Sequence, residues 1–267
     1  MSKRSRNGTV YELSGPDDAP VIALVHGLGM NRHTYQWHAP ELATRYRVLN
    51  YDLFGHGETV PPPIKPSLTV FSEQLRDLLD ELNIDRCAVV GFSLGGMINR
   101  RFALDYPERV TALVILNSPH ERGEEAQRAV EERAAKSAAG GPGATLDTTL
   151  KRWLTPHFLA NEPEKIAMIR EWVMANEPEV YAQCRWVLAN GVIEIIRPNP
   201  PLAHPTLIMT CENDTGSTPA MSHAIASEIA GSETIIVPNL QHLGLIEQPA
   251  LFTKPVIGFL DRVIRGA

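Results

Sequence analysis

Apolar runs of strand length recur along this chain, and segments with helical spacing of apolar residues lie between them. The runs are rich in β-branched and other aliphatic residues, a pattern typical of strands buried on both faces of a parallel sheet. We predict six such strands: Val21–Val25, Tyr46–Tyr51, Cys87–Val90, Val110–Leu116, Thr206–Met209 and Thr234–Val237.

Helices are predicted where apolar residues recur every three or four positions. Leu94, Ile98 and Phe102 form one such stripe. A second stripe consists of Phe71, Leu75, Leu78, Leu79 and Leu82. Thr218 and Pro219 mark the start of another helix, because a capping threonine followed by proline is typical of a first turn. The alternation of strands and helices predicts an α/β fold in which helices flank a mostly parallel sheet.

The alternation stops between residues 120 and 201, where helical patterns follow one another without a strand of the core type. The predicted helices of this interval are Glu121–Ala139, Pro163–Ala175 and Pro178–Asn190. The insertion directly follows the end of a strand, on the side of the sheet where parallel α/β proteins bind ligands. We therefore expect it to form a helical lid. The predicted organisation is a core of residues 1–119 and 202–267 with a cap of residues 120–201.

Composition excludes several classes of partner. The 267 residues are 43% hydrophobic, enough for a large core, and the formal net charge is −6. This acidic balance provides no electrostatic footprint for nucleic acid or an anionic membrane. No apolar run reaches the length of about eighteen residues that predicts a membrane span. We therefore expect a cytoplasmic protein with neither nucleic acid nor membrane as a partner, and a homodimer is compatible with the sequence.

Cysteine and motif content predict no cofactor and no metal. Cys87, Cys184 and Cys211 are far apart in the sequence and lie among apolar residues, as reduced buried thiols do. The sequence contains no Walker loop, no H-E-x-x-H pair and no clustered cysteine–histidine set. We expect side chains and backbone groups alone to carry the chemistry.

The segment Gly91–Gly95 reads Gly-Phe-Ser-Leu-Gly and places a serine between a predicted strand and a predicted helix. A sharp turn there strains the serine backbone, and a Cβ on either glycine would clash as the strand and the helix close in. The turn projects the hydroxyl of Ser93 out of the sheet. Ser93 is therefore the candidate nucleophile.

A serine hydroxyl is a weak nucleophile at neutral pH and needs a histidine base, which an acid orients. Asp214 and His242 each lie in the loop after one of the last two predicted strands. Both side chains are therefore expected at the sheet edge that carries Ser93, in the order serine, acid, histidine.

Other candidates for acid and base are poorer. Glu212 lies earlier in the loop than Asp214, and His223 lies within the helix that follows Pro219. The end of Val110–Leu116 is another position for the acid, but the residue there is Asn117.

The segment His26–Gly29 reads His-Gly-Leu-Gly and follows the first predicted strand. Its glycines let backbone N–H groups turn inward. The amides of Leu28 and Leu94 are expected to form an oxyanion hole. We expect His26 to hold this loop and His56 to anchor a turn through its ring nitrogens.

With these residues in place, the chain resembles an α/β-hydrolase over nearly its whole length. The motifs that carry the resemblance, in the family's order and spacing, are His26–Gly29, Asp52–Gly57, Gly91–Gly96, Asp214 with Pro219, and His242 with Glu247–Pro249. The resemblance implies the α/β-hydrolase fold, with Ser93, Asp214 and His242 as nucleophile, acid and base. It disfavours haloalkane dehalogenases and epoxide hydrolases, which resemble this fold but carry aspartate at the position of Ser93.

Within this superfamily, the lid segments Arg152–Phe158 and Glu179–Cys184 are similar to those of 3-oxoadipate enol-lactonases. Those enzymes open an enol-lactone in bacterial aromatic catabolism. The resemblance implies a hydrolase of a small carboxylic ester or (enol-)lactone that works through an acyl-enzyme intermediate.

An enol-lactone substrate needs a cation to receive its carboxylate. The lid candidates are Arg122, Arg152, Arg170 and Arg185, of which Arg152 and Arg185 are preferred. Trp153, Trp186 and Tyr35 are further candidates for the substrate pocket. Three of the four tryptophans lie in the insertion, and we expect at least one to face the substrate.

Three other functions remain open for the same residues. A carbon–carbon bond hydrolase of aromatic ring-cleavage products would apply the triad to a diketone-like substrate. A cofactor-free haloperoxidase or perhydrolase would accept peroxide in place of water. A non-catalytic receptor would keep the pocket without turnover, and an intact serine, aspartate and histidine set argues against it.

Overall fold

The structure, a computed structural model, describes residues 2–266 and contains an eight-stranded sheet. The strands are β1 Lys3–Arg4, β2 Val10–Ser14, β3 Val21–Val25, β4 Arg47–Tyr51, β5 Cys87–Phe92, β6 Val110–Leu116, β7 Thr206–Cys211 and β8 Glu233–Val237. Their order is β1-β2-β4-β3-β5-β6-β7-β8. The pairs β1–β2 and β2–β4 are antiparallel, and all other pairs are parallel.

The six predicted strands correspond to β3 through β8, and the predicted α/β-hydrolase fold is confirmed. In β8 only Val237 is buried, so the expectation of burial on both faces is wrong for this strand. The reason is its position at the edge of the sheet, where no further strand covers it.

Helices lie between and beside the strands. They are α1 Ala39–Leu42, α2 Leu68–Glu81, α3 Leu94–Asp105, α4 Glu124–Gly140, α5 Leu146–Trp153, α6 Pro156–Asn161, α7 Pro163–Met174, α8 Pro178–Asn190, α9 Pro219–Glu228, α10 Gly244–Glu247 and α11 Ala250–Leu260. Thr218 caps α9 by accepting a hydrogen bond from the Met221 amide at 3.3 Å, as the cap-then-proline signal predicts. Within residues 2–266, no helix combines the length and apolar character needed to cross a bilayer.

The apolar stripes of α2 and α3 share one hydrophobic core with the central strands, and α2 packs on α3. On α3, the predicted stripe Leu94, Ile98 and Phe102 is fully buried, and the helix packs on β5 and β6. Because α3 begins immediately after Ser93, burial of this stripe fixes the direction in which the chain leaves the β5 strand.

Helices α4 to α8 follow one another between β6 and β7, inside the interval predicted as a cap. α4 packs along α8. The start of α6 is tied to the core, because Glu247 accepts hydrogen bonds from the Thr155 amide at 2.8 Å and the Thr155 hydroxyl at 2.6 Å. The domain boundaries at residues 120 and 201 stay predictions.

An ion cluster around the buried Arg32 and Asp52 supports the loops that follow β3 and β4. Arg32 donates from its amide and its side chain to Asp52, at 2.7 and 2.5 Å, and also contacts Glu58 and Glu12. Asp52 is fully buried and also accepts a hydrogen bond from the Glu58 amide at 3.0 Å. Glu12 and Glu58 are exposed, so removal of Asp52 takes away the buried counter-ion of the Arg32 guanidinium. Loss of a buried partner is strongly destabilising.

We predict that Asp52→Ala lowers the free energy of unfolding by about 3–5 kcal/mol, because Arg32 stays buried without this carboxylate. The control is Asp17→Ala, which removes the exposed partner of Arg47 and should change the free energy by less than about 1 kcal/mol. Equilibrium unfolding in urea measures both, and equal losses in the two variants would contradict the prediction.

Candidate active site

The structure places Ser93 at the turn between β5 and α3. Its backbone has a φ of 56° and a ψ of −113°, a strained conformation for a residue with a side chain. The Ser93 amide donates to the Leu116 carbonyl at 2.9 Å. A Cβ on Gly95 would overlap the carbonyl oxygen of Val25, and one on Gly91 would overlap the carbonyl oxygen of Gly95. Only glycine fits at both positions.

Ser93, His242 and Asp214 form a continuous hydrogen-bonded chain. The distance from His242 Nε2 to Ser93 Oγ is 3.1 Å, and that from His242 Nδ1 to Asp214 Oδ2 is 2.6 Å. An ionised carboxylate only accepts hydrogen bonds, so Nδ1 carries the proton of a neutral His242. Nε2 is then free to accept the Ser93 hydroxyl proton.

The Asp214 carboxylate accepts hydrogen bonds from three groups besides His242. Asn117 Nδ2 donates to Oδ2 at 2.9 Å, and the amides of Gly216 and Ser217 donate to Oδ1 at 2.8 and 2.9 Å. Burial raises the pKa of Asp214, but the neighbouring His242 and the hydrogen bonds from Asn117 and Ser217 outweigh it. The pKa of this carboxyl is therefore held below its usual value.

Asn117 is a site residue that the sequence does not assign. In the sequence it stands where a catalytic acid could have been, and it is set aside because it is not acidic. In the structure its side-chain amide donates to Asp214, the candidate acid in the loop after β7. The available signal is its place at the end of β6, at the same sheet edge as Asp214.

The imidazole of His242 is also held by aromatic contacts. Its ring centroid lies 5.0 Å from that of Phe92 and 5.9 Å from that of Trp153. The amide of Leu243 donates to the Trp153 carbonyl at 2.8 Å. The end of α5 therefore contacts both the side chain and the loop of the candidate base.

The amides of Leu28 and Leu94 lie on the two loops that meet at Ser93. A Cβ on Gly27 would lie 3.2 Å from the Cβ of Ser93, so the Leu28 loop approaches the candidate nucleophile closely. Among residues 2–266, neither amide donates a backbone hydrogen bond outside the regular elements. The oxyanion hole formed by these two amides stays a prediction.

His26 holds the Leu28 loop, as the sequence predicts. Its Nε2 accepts a hydrogen bond from the Leu53 amide at 3.0 Å, so Nδ1 carries the proton and donates to the Gly27 carbonyl at 2.8 Å. Burial lowers the pKa of His26 to about 4. The residue is therefore a neutral support at physiological pH.

A cavity opens over Ser93 and His242, beneath the inserted helices. Of the predicted pocket residues, Arg152, Trp153 and Arg185 line it. Arg122 and Arg133 line the same cavity. Among residues 2–266, no group of three or more histidine, cysteine, aspartate or glutamate side chains is arranged to ligate a metal ion.

Two predicted pocket residues do not line this cavity. Trp186 is 49% exposed, because consecutive residues on a helix project about 100° apart and its neighbour Arg185 takes the inward direction. Tyr35 is 1% exposed, and its hydroxyl donates to the Val25 carbonyl at 3.1 Å inside the core. Both expectations are corrected.

The arginines that line the cavity differ from the predicted set at one position. Arg170 is exposed, pairs with Asp147 and lies outside the cavity. Arg133 takes its place in the set, although the sequence does not single it out. Its helix is charged throughout, and no sequence signal separates Arg133 from exposed neighbours such as Arg128.

The chain is similar to known hydrolases along most of its length. The family profile described as alpha/beta hydrolase fold matches residues 20–249. 3-Oxoadipate enol-lactonase 2 of Acinetobacter baylyi is 27% identical over 253 residues, which cover 94% of this chain and 92% of the relative. From the same organism, (E)-2-((N-methylformamido)methylene)succinate hydrolase is 24% identical over 259 residues, 96% of each protein.

A solved structure of an enol-lactonase is also similar to this chain. The enol-lactonase from Burkholderia xenovorans LB400 superposes with a TM-score of 0.87 at 29% sequence identity. The match covers 95% of this chain and 97% of that structure. The resemblance to enol-lactonases in the sequence is thereby confirmed.

We predict a pH-dependent contribution of Asp214 to stability. Because the folded-state pKa lies below the usual value, ionised Asp214 stabilises the fold above a pH of about 4, and this contribution is lost as the pH falls through the folded-state pKa. The difference in unfolding temperature between wild type and Asp214→Asn should therefore be constant above a pH of about 5 and shrink as the pH falls below about 4.

Thermal unfolding across this pH range measures the difference. Glu41→Gln, which removes an exposed carboxylate, is the control and should follow the wild-type pH dependence. A difference between wild type and Asp214→Asn that stays constant over the range would contradict the prediction.

Proposed function

Because the chain belongs to the alpha/beta hydrolase fold family, we propose that it is a serine hydrolase that cleaves a small carboxylic ester or lactone through an acyl-enzyme intermediate. The observation that carries this proposal is the hydrogen-bonded chain from Ser93 through His242 to Asp214. It joins a nucleophile, a base and an orienting acid in the geometry that acyl transfer requires.

In the first half of the reaction, Ser93 Oγ attacks the substrate carbonyl while His242 Nε2 takes the hydroxyl proton. Asp214 stabilises the resulting imidazolium and holds its ring orientation. The tetrahedral intermediate collapses when the carbon–oxygen bond of the leaving group breaks, and His242 returns its proton to that oxygen. An ester releases an alcohol, whereas the leaving oxygen of a lactone stays tethered to the acyl group.

In the second half, His242 takes a proton from water, and the water oxygen attacks the acyl carbon. The bond to Ser93 Oγ breaks, and His242 returns the proton to this oxygen. The carboxylic acid is released, and no redox partner is needed.

The amides of Leu28 and Leu94 are the proposed oxyanion hole in both halves. They are backbone donors already held in place by the turn at Ser93 and by the His26 support. Preorganised donors stabilise developing negative charge without reorganisation, and one such donor is worth roughly 10²–10³ in turnover.

Helices α4 to α8 are the proposed lid. Trp153 contacts the His242 ring, so closure of this region over a substrate would exclude water from the reacting groups. Arg152 and Arg185 are proposed to receive a substrate carboxylate. The names of two relatives, which refer to an enol-lactone and to a substituted succinate, support a carboxylated substrate.

We predict that Ser93→Ala abolishes covalent labelling by a fluorophosphonate probe, because the probe reacts with an activated serine hydroxyl. Its kcat/KM for short esters and lactones should fall by at least about 10³-fold. Labelling followed by mass spectrometry, together with a kinetic panel of lactones, short esters and ring-cleavage products, measures both effects.

Ser227→Ala, an exposed serine on α9, is the matched control and should keep labelling and turnover. If wild type is unlabelled and hydrolyses none of the esters or lactones, the proposed function is wrong. Turnover confined to ring-cleavage products would instead favour a carbon–carbon bond hydrolase.

A further inference from the structure

The cavity over Ser93 has a strong excess of positive charge. Its lining includes four arginines, Arg122, Arg133, Arg152 and Arg185, and one carboxylate, Asp214. That carboxylate is already engaged by His242. The chain as a whole carries a formal charge of −6, so the cationic lining is a local feature and does not reflect a basic protein.

None of the four arginines forms an ion pair with a carboxylate of residues 2–266. Arg32 and Arg170 do, whereas the buried Arg100 is held by the carbonyls of Gly96 and Pro119 and by the hydroxyl of Ser118. A buried or half-buried guanidinium is normally paired. The unpaired state of all four therefore points to a negative partner that enters the cavity.

The hydrogen bonds of these side chains leave most donors unused. Arg185 Nη1 donates to the neutral hydroxyl of Tyr181 at 3.1 Å. Arg122 donates to the carbonyls of Leu188 and Ala189 at 3.4 and 3.3 Å, while its buried Nε has no partner. Each guanidinium has five N–H donors, so each can still bind an anion.

The four cations also repel one another. Burial, together with the charges of Arg133 and Arg185, lowers the pKa of Arg152 to about 10, although Asp214 opposes this effect. Burial likewise lowers the pKa of Arg122 to about 10, with a contribution from Arg133. The side chains remain charged at neutral pH. A bound anion would relieve both desolvation and repulsion.

Arg133 is central to this cluster. Its positive charge lowers the pKa of Arg122 and of Arg152, and the charge of Arg185 in turn lowers the pKa of Arg133. The four residues come from three helices and one loop of the insertion, so separate elements bring them to the same cavity.

We propose that the substrate carries two free carboxylates in addition to the ester or lactone carbonyl that Ser93 attacks, and that Arg133 is a specificity-determining residue for them. This inference rests on the proposed function. One carboxylate pairs with one or two guanidinium groups and would leave at least two of the four cations in the cavity without a partner. Two carboxylates can engage all four.

The binding test uses Ser93→Ala, which lacks the nucleophile, and three methyl esters. Methyl butyrate, monomethyl succinate and monomethyl propane-1,2,3-tricarboxylate carry none, one and two free carboxylates. Isothermal titration should show binding of the dicarboxylate ester about 10- to 100-fold tighter than that of the monocarboxylate, the range expected for one further charged contact. Equal affinity for these two esters would overturn the inference.

Arg133→Gln, introduced beside Ser93→Ala, should remove most of this preference, and Arg133→Lys should restore part of it. The matched control is Arg128→Gln on the same helix, where Arg128 is exposed and pairs with Glu124. Because Arg133 faces other cations, its loss should not lower the unfolding temperature without ligand. Equal affinity losses in the Arg128 and Arg133 variants would contradict a specific role.

Two further measurements, of phosphate binding and of ester turnover, test the two-carboxylate proposal separately from the proposed function. Inorganic phosphate places its charge on one group, and tighter binding of phosphate than of the dicarboxylate ester would overturn the proposal of two carboxylates. Turnover of the three esters by wild type separates the two proposals. Binding of the dicarboxylate ester without hydrolysis of any ester would reject the hydrolase mechanism alone, whereas equal kcat/KM for all three would reject charge recognition alone.

Discussion

The close approach of backbones at the Ser93 turn is the constraint on which the rest of the site depends. Gly91 and Gly95 leave no room for a Cβ, and this contact lets Ser93 hold a positive φ of 56°. The same turn sets the start of α3 and exposes the Leu94 amide beside the Leu28 loop. The Ser93 hydroxyl and the proposed oxyanion donors are therefore positioned by one local arrangement, which burial of the α3 stripe maintains.

The electrostatics of the site divide into two regions with different tasks. Around Asp214, donors from Asn117, Gly216 and Ser217 hold a carboxylate in its charged form next to His242. Across the cavity, four arginines without carboxylate partners leave positive charge uncompensated within residues 2–266. The first region is complete within the protein, whereas the second keeps an excess of positive charge within the described residues. This contrast distinguishes the proposed chemical machinery from the proposed substrate recognition.

The inserted helices are coupled to the candidate base at two points. Thr155 is bound by Glu247, a few residues after His242, and Leu243 donates to the Trp153 carbonyl. Burial raises the pKa of Glu247, although the hydrogen bonds from Thr155 oppose that effect. The inserted helices and the His242 loop therefore share contacts, so a change in the position of α5 would alter the surroundings of the imidazole.

The sequence alone determined the fold and the candidates for the reacting groups. Periodicity located β3 through β8, and glycine spacing located the turn at Ser93, because both signals arise from local sterics and burial. Chain order then selected Asp214 and His242, since loops after parallel strands reach one edge of the sheet. Their hydrogen-bonded geometry is a property of the structure, and their catalytic roles stay predictions.

Tertiary packing decided what the cavity contains. It turned Arg185 inward and Trp186 outward, buried Tyr35 in the core, and exchanged Arg170 for Arg133. It also made Asn117 a partner of Asp214. The sequence could not decide these points, because the direction of a side chain on an amphipathic or uniformly charged helix depends on which neighbouring element the helix meets. That is a long-range property, which no local pattern of residues encodes.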